Sequence, residues 1–218
     1  MLKLSDMVRE FPIVLKTDRD CENPLVTEFV KEHGPFDSLL DVGCHSSANH
    51  YAPEIRKYTQ IYDGIDILED VKTAQILDHY FVGNFNTHPL VEYDIVICVS
   101  TLEHAGISTY QADYLEERMK LFNGCLDHAK KYVWISFPVG QEYTYPGELS
   151  IVTENQLNIF EELLSIENYK FKERFFYSQG PQANFPWYEH QKREVAVKIP
   201  YIDYVGNSSI AVLEIDKT

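Results

Sequence analysis

The sequence has little of several things that would each have decided its class. Its 218 residues include four cysteines, Cys21, Cys44, Cys98 and Cys125, with no Cys-x-x-Cys pair among them. A disulfide-stapled secreted fold needs a denser, paired set. Cys98 lies in an apolar, strand-like run, where a reduced, buried thiol is the usual state. No apolar stretch approaches the roughly 20 residues that cross a bilayer. The opening MLKLSDMVREFPIVL carries acids and a proline where a signal peptide has an unbroken apolar core. These absences lead to the expectation of a cytoplasmic protein with no membrane span. There are only 10 glycines and 10 prolines, and no repeat, low-complexity tract or Gly/Ser linker interrupts the chain.

Basic residues are also scarce. Lys and Arg number 19 against 34 Asp and Glu, a net charge of -15. A field of that sign repels phosphate backbones, so nucleic acid is not the expected partner. Lys130, Lys131, Lys170 and Lys172 form only modest clusters. A hydrophobic share of 44% in 218 residues is enough for a sizeable core. We read residues 1–218 as a single domain. It has a helical lead-in over 1–35, a cofactor-binding core over 36–140, and substrate-side loops with C-terminal strands over 141–218.

Apolar runs and periodic segments alternate along the core. Residues 23–33 predict a helix, with Asn23 as N-cap and Pro24 in the first turn. Residues 38–42 (SLLDV) predict the first strand, and 48–58 a helix with Pro53 in its first turn. Strands follow at 61–67 and 80–82, separated by a helix over 69–79. The run 93–99 (YDIVICV) is apolar almost throughout, as a central parallel strand buried on both faces should be. A helix over 111–130 leads to a strand over 132–137 (YVWISF). After a Tyr/Gly/Pro-rich loop, Thr153 caps a helix over 154–165, and two strands close the chain at 169–177 and 210–215. This alternation predicts an α/β fold, doubly wound and Rossmann-like, with a mostly parallel seven-stranded sheet and an antiparallel C-terminal strand.

In such sheets ligands bind beyond the carboxyl ends of the strands, where the strand order reverses. The first strand ends in LLDVGCHSS. Gly43 permits a tight turn that presents backbone N–H groups. The second strand ends in Asp66, 25 positions after Asp41, and an acid there suits the two hydroxyls of a ribose. A dinucleotide site wants Gly-x-Gly-x-x-Gly so that a pyrophosphate can approach the backbone. Here Gly43 is followed by Cys44, His45, Ser46 and Ser47, which argues for a nucleoside without a pyrophosphate.

LLDVGC, GIDI, YDIVICVSTLEHAG and ISFPVG, in that order, resemble the motifs of class I S-adenosylmethionine (SAM)-dependent methyltransferases over residues 36–140. The segment STLEHAG is similar to a branch associated with small-molecule, sugar and glycan modification. The resemblance implies that the turn holding Asp41, Gly43, Cys44 and His45 lines the methionine part of SAM. It implies that Asp66, with Ile67, holds the ribose, that Asn84 and Phe85 flank the adenine, and that the strand end at Ser100 lies beneath the cofactor. Three positions depart from the pattern: His45 for the usual second glycine, Ser47 for a third small residue, and Asn84 for a frequent aspartate. Some relatives bind a divalent metal through Glu-x-x-Glu-His. Ser100 replaces the first acid here, so no metal is expected.

Glu103 and His104 follow the strand nearest the transferred methyl and are the catalytic candidates; their bland alternative is a helix-starting pair bonded to nearby backbone. A histidine titrates in the right range to take a proton from a hydroxyl acceptor, and a glutamate can orient an amine. The aromatic side chains Tyr143, Tyr145 and Trp187, with Pro146, Tyr188 and His190, are candidate walls for a small-molecule or glycan acceptor. Three other readings compete: a nucleic-acid or protein methyltransferase, a non-catalytic partner subunit, and a nicotinamide enzyme. Oligomeric state is left open.

Overall fold

The computed structural model describes residues 7–11, 18–46, 48–107, 114–145, 149–178, 187–190, 192–199 and 208–218. In chain order the elements are β1 (Met7–Phe11), α1 (Arg19–His33), β2 (Phe36–Val42), α2 (Ala48–Ile55), β3 (Thr59–Asp66), α3 (Val71–Ala74) and β4 (His79–Val82). β5 (Tyr93–Val99), α4 (Tyr114–His128), β6 (Ala129–Pro138), β7 (Thr144–Tyr145), β8 (Leu149–Ser150) and α5 (Glu154–Ile166) follow. The last are β9 (Lys170–Ser178), β10 (Trp187–His190), α6 (Arg193–Ala196) and β11 (Ser208–Asp216).

The main sheet runs β1-β10-β9-β11-β6-β5-β2-β3-β4. From β6 to β4 the neighbours are parallel, and β11 enters antiparallel between β6 and β9. This is the expected α/β fold, with a mostly parallel seven-stranded section and an antiparallel C-terminal strand. β7 and β8 form a separate two-stranded ribbon. No helix among the described residues is long and apolar enough to cross a membrane.

β5 is buried at every position, as its composition predicts. Its side chains alternate between two cores. Ile95, Ile97 and Val99 join Leu25, Tyr51 and Ile55 on the α1/α2 side. Val96 and Cys98 join Phe122, Leu157 and Phe160 on the α4/α5 side. All four cysteines are free and buried.

Several boundaries differ from expectation. The lead-in is not wholly helical, because Met7–Phe11 pairs antiparallel with β10. A partner about 180 positions away leaves no trace in the local pattern. α1 starts at Arg19, capped by the Asp18 carboxylate rather than by Asn23, and Pro24 lies inside it. Pro53 stands sixth in α2 and gives up one i→i−4 bond there. The helix expected over 69–79 shrinks to Val71–Ala74. Asp78 is drawn to β3 instead: its carboxylate accepts the Tyr62 N–H at 2.7 Å and pairs with Arg56.

Two side-chain clusters brace the sheet, one within its antiparallel strands and one where α4 and α5 meet β6. Arg174 on β9 forks onto Glu189 of β10 at 2.8 and 3.0 Å and reaches Glu214 of β11 at 2.9 Å. On the other core, the Phe160 ring stacks on Phe122 at 4.5 Å and meets Phe137 edge-on at 6.0 Å. Phe160→Ala empties this junction and is expected to cost about 3–5 kcal/mol, read as a lower midpoint in urea denaturation. A loss under about 1 kcal/mol would mean that α5 is not packed as described.

Candidate cofactor site

The strand order reverses between β2 and β5, so their carboxyl ends splay and open a crevice. A cavity of about 370 Å³ lies there, within the range of small-molecule sites. Its lining includes Gly43, Asp66, Ile67, Asn84, Phe85 and His104. Asp41, Cys44, His45, Ser100 and Glu103 are not part of that lining.

Gly43 has a φ of +74°, in the left-handed region. A Cβ there would sit 2.1 Å from Thr101 Oγ1. The Thr101 hydroxyl lies 3.3 Å from the Val42 carbonyl and 3.2 Å from the Val99 carbonyl. The two strand tips therefore meet where a side chain is missing.

Asp66 organises the loops around the crevice. Its Oδ2 accepts the His45 N–H at 3.0 Å and its Oδ1 the Leu68 N–H at 2.9 Å. Its carbonyl accepts the Gly83 N–H at 2.8 Å. Asp70 holds the Ser46 N–H at 3.0 Å. The loop after β2 is thus pinned by two carboxylates, one at the end of the neighbouring β3 and one in the turn after it. Asn84 caps the turn Phe85–Thr87 through its side-chain oxygen, bonded to the Asn86 N–H at 2.9 Å. The Phe85 ring is held against Gly124 of α4, where a Cβ would lie 2.6 Å from the ring.

Asp41 is placed differently from the expectation of a cavity-lining acid. Strand alternation turns it to the α1/α2 face, where it is buried. The hydroxyls of Tyr51 and Tyr62 both donate to its Oδ2 at 2.8 Å. Burial raises its pKa to about 7, while the two hydroxyl bonds pull the other way. Cys44 packs beneath the turn close to Gly64, and burial pushes its thiol pKa up, so it is no nucleophile. Ser100, with a φ of +42°, faces α1 and donates to Glu22 Oε1 at 2.6 Å. Glu22 is itself buried, with its pKa raised to about 7 by burial.

Glu103 and His104 share the turn Leu102–His104 but face different surroundings. His104 is half exposed and lines the cavity, with Nε2 3.7 Å from Glu103 Oε1. Glu103 is buried behind it, with no hydrogen-bond partner for Oε2 among the described residues and a pKa raised by burial. Tyr143 is exposed and does not line the cavity. The backbones of Tyr145 and Trp187 lie in β7 and β10. Their side chains, those of Tyr188 and His190, and all of Ser47 and Pro146 lie outside the described residues.

Glu117 and Leu121 of α4, four apart and on one helix face, also line the cavity, as does Gly83. The sequence argument missed them, although the i, i+4 spacing was there to be used. Among the described lining residues the charged side chains are Asp66 and Glu117, with His104 beside them and no Lys or Arg. Such a wall repels a phosphate and suits a ligand carrying positive charge.

No protein-family model matches the chain, and no curated protein matches it in sequence. Solved structures do match it in fold, and methyltransferases described with different substrates are among them. One, a SAM-dependent methyltransferase from Archaeoglobus fulgidus, aligns over 92% of this chain and 96% of its own, with 13% identity and a TM-score of 0.56. Coclaurine N-methyltransferase, bound to N-methylheliamine and S-adenosylhomocysteine (SAH), aligns over 95% and 75%, with 12% identity and a TM-score of 0.55. A putative RNA methyltransferase from Pyrococcus horikoshii aligns over 97% and 91%, with 8% identity and a TM-score of 0.54.

Two outcomes follow from the site geometry. Gly43→Ala places a side chain against Thr101 in a left-handed backbone, and is expected to lower the thermal midpoint and close the crevice to ligand. A variant with wild-type stability and binding would contradict the close approach. Asp41 keeps its proton in the native state between about pH 4 and 7, where the unfolded chain releases it. Stability contributed at this position therefore falls as pH rises through that window. Asp41→Asn is expected to flatten this fall in thermal midpoint, leaving the share of Glu22, which has the same sign. An unchanged profile would show that Asp41 does not titrate there.

Proposed function

We propose that the chain is a SAM-dependent methyltransferase acting on a small-molecule acceptor. The observation that carries this reading is the cavity at the strand reversal, walled by Asp66 and Glu117 and without a cation among its described lining residues. SAM is a nucleoside with no phosphate and with positive charge on its sulfonium and amino groups, so its chemistry fits that wall. Each Asp66 oxygen accepts one backbone N–H and retains a second lone pair for a ribose hydroxyl. The Asn84–Asn86 turn and the Phe85 ring would border the base, and the Gly43 turn the methionine part.

When bound, SAM supplies an activated methyl group open to in-line displacement. The chain's work is then positioning and proton handling. Seating an acceptor atom about 3–3.5 Å from the carbon, in line with the leaving sulfur, supplies most of the catalysis in such a reaction. His104, at the cavity wall, accepts the proton of a hydroxyl acceptor, and Glu103 behind it stabilises the imidazolium that forms. For an amine acceptor the same pair orients the nitrogen. The resemblance of STLEHAG extends the proposal to a sugar or glycan-related acceptor. The net charge of -15 weighs against RNA or DNA.

Calorimetric titration with SAM and with SAH tests the reading. Both are expected to bind the wild type, and Asp66→Ala is expected to weaken both at least tenfold. No binding of either at millimolar concentration would overturn the proposal.

A further inference from the structure

Arg118 is fully buried on α4, yet it lies between two segments that the fold brings together from far apart in sequence. Its Nε donates to the Leu102 carbonyl at 3.3 Å, and one terminal nitrogen to the Glu103 carbonyl at 3.4 Å and to the Ser150 carbonyl. The other donates to the Ile151 carbonyl at 3.4 Å and to Gln156 Oε1 at 2.7 Å. Gln156 also accepts the Thr153 N–H at 3.2 Å, at the start of α5. One planar fork thus joins the turn that carries Glu103 and His104 to β8 and to the N-terminus of α5.

A charge taken wholly out of water is an expensive way to fill space, and an apolar side chain would pack there at lower cost. What arginine adds is a rigid set of five donors with fixed directions. The two segments it joins are each weakly held by themselves. The first is a single 3-10 turn, Leu102–His104. The second belongs to the two-stranded ribbon β7–β8, an arrangement that is marginal alone in water. Glu117 and Leu121, next to Arg118 on α4, line the cavity together with His104.

We propose that Arg118 is a positioning residue: it fixes His104 at the cavity wall by clamping the Leu102–His104 turn to β8 and α5. The ribbon and the turn that carries His104 are thereby held in one register. The functional meaning of this clamp rests on the reading of the cavity as a SAM site, but its geometry does not.

Two readouts separate the one from the other. In the ligand-free protein, the His104 ring signals in a carbon–proton NMR spectrum are expected to shift in both Arg118→Lys and Gln156→Met. They are expected to stay in place in Asp127→Asn, an exposed control near the other end of α4. In SAH titrations, Arg118→Lys is expected to lose at least tenfold in affinity and Gln156→Met about threefold. The loss from Arg118→Lys is expected to shrink below threefold in a His104→Ala background, because residues acting through one another are not additive. Unmoved His104 signals in both variants, or full additivity with His104→Ala, would overturn the clamp. If Arg118→Lys does not fold, Gln156→Met decides, since it leaves the buried charge in place and lies outside the cavity lining. Failure of the wild type to bind SAH overturns the methyltransferase reading alone, and the NMR comparison still judges the clamp.

Discussion

The approach of Gly43 to Thr101 is the constraint on which the rest of the crevice depends. Two parallel strands, β2 and β5, pair along their length and then send their connections to opposite sides of the sheet. The chain leaving β2 must turn sharply over the tip of β5, and only a residue without a side chain fits against Thr101 Oγ1. Once that turn is made, the backbone N–H groups of His45 and Ser46 need partners. Asp66 and Asp70 supply them from the neighbouring strand and its following turn. A glycine-rich loop would fold back on itself. This one is tied down from outside, so it tolerates His45 where a second glycine is usual in the resembled pattern.

The two acids singled out in the sequence, Asp41 and Asp66, show how position along a strand divides roles between like residues. Asp66 ends its strand at the cavity, where its oxygens meet backbone N–H groups. Asp41 lies one residue before the end of β2, and the strict alternation of side chains sends it to the opposite core. There it meets Tyr51 and Tyr62 and, with its pKa raised to about 7, it is held close to neutrality. The same division separates Glu103 from His104 on a single turn: the glutamate faces inward and the histidine outward.

What could be read from the sequence was whatever is carried by composition and short-range period. The strand 93–99 is the clearest case, since seven successive buried positions allow no polar face to blur the pattern. The Thr153 start of α5 is another, because a cap is a local device. Gly43, Asp66, Ile67, Asn84, Phe85 and His104, named from the strand ends and from the family resemblance, lie around one cavity. The parts that escaped have non-local causes. β1 exists because β10 is there to pair with it. α3 stops early because Asp78 is captured by Tyr62 and Arg56. Arg118 reads as one more charge on an amphipathic helix until the fold brings Leu102, Ser150 and Gln156 around it.

Charge joins the two scales. The chain as a whole is strongly acidic, and the same sign recurs at the crevice in Asp66 and Glu117 and behind it in Glu22 and Glu103. Buried carboxylates are unfavourable unless something offsets them, which is why burial raises the pKa of Glu22 and of Glu103. Arg19 offsets Glu22 directly, at 3.3 Å. The remaining excess is best met by a ligand that brings positive charge of its own. A sulfonium nucleoside does so, whereas a dinucleotide or a nucleic acid would add to the repulsion. The absence of Lys and Arg from the cavity's described lining is thus the charge argument on which the proposed SAM site rests.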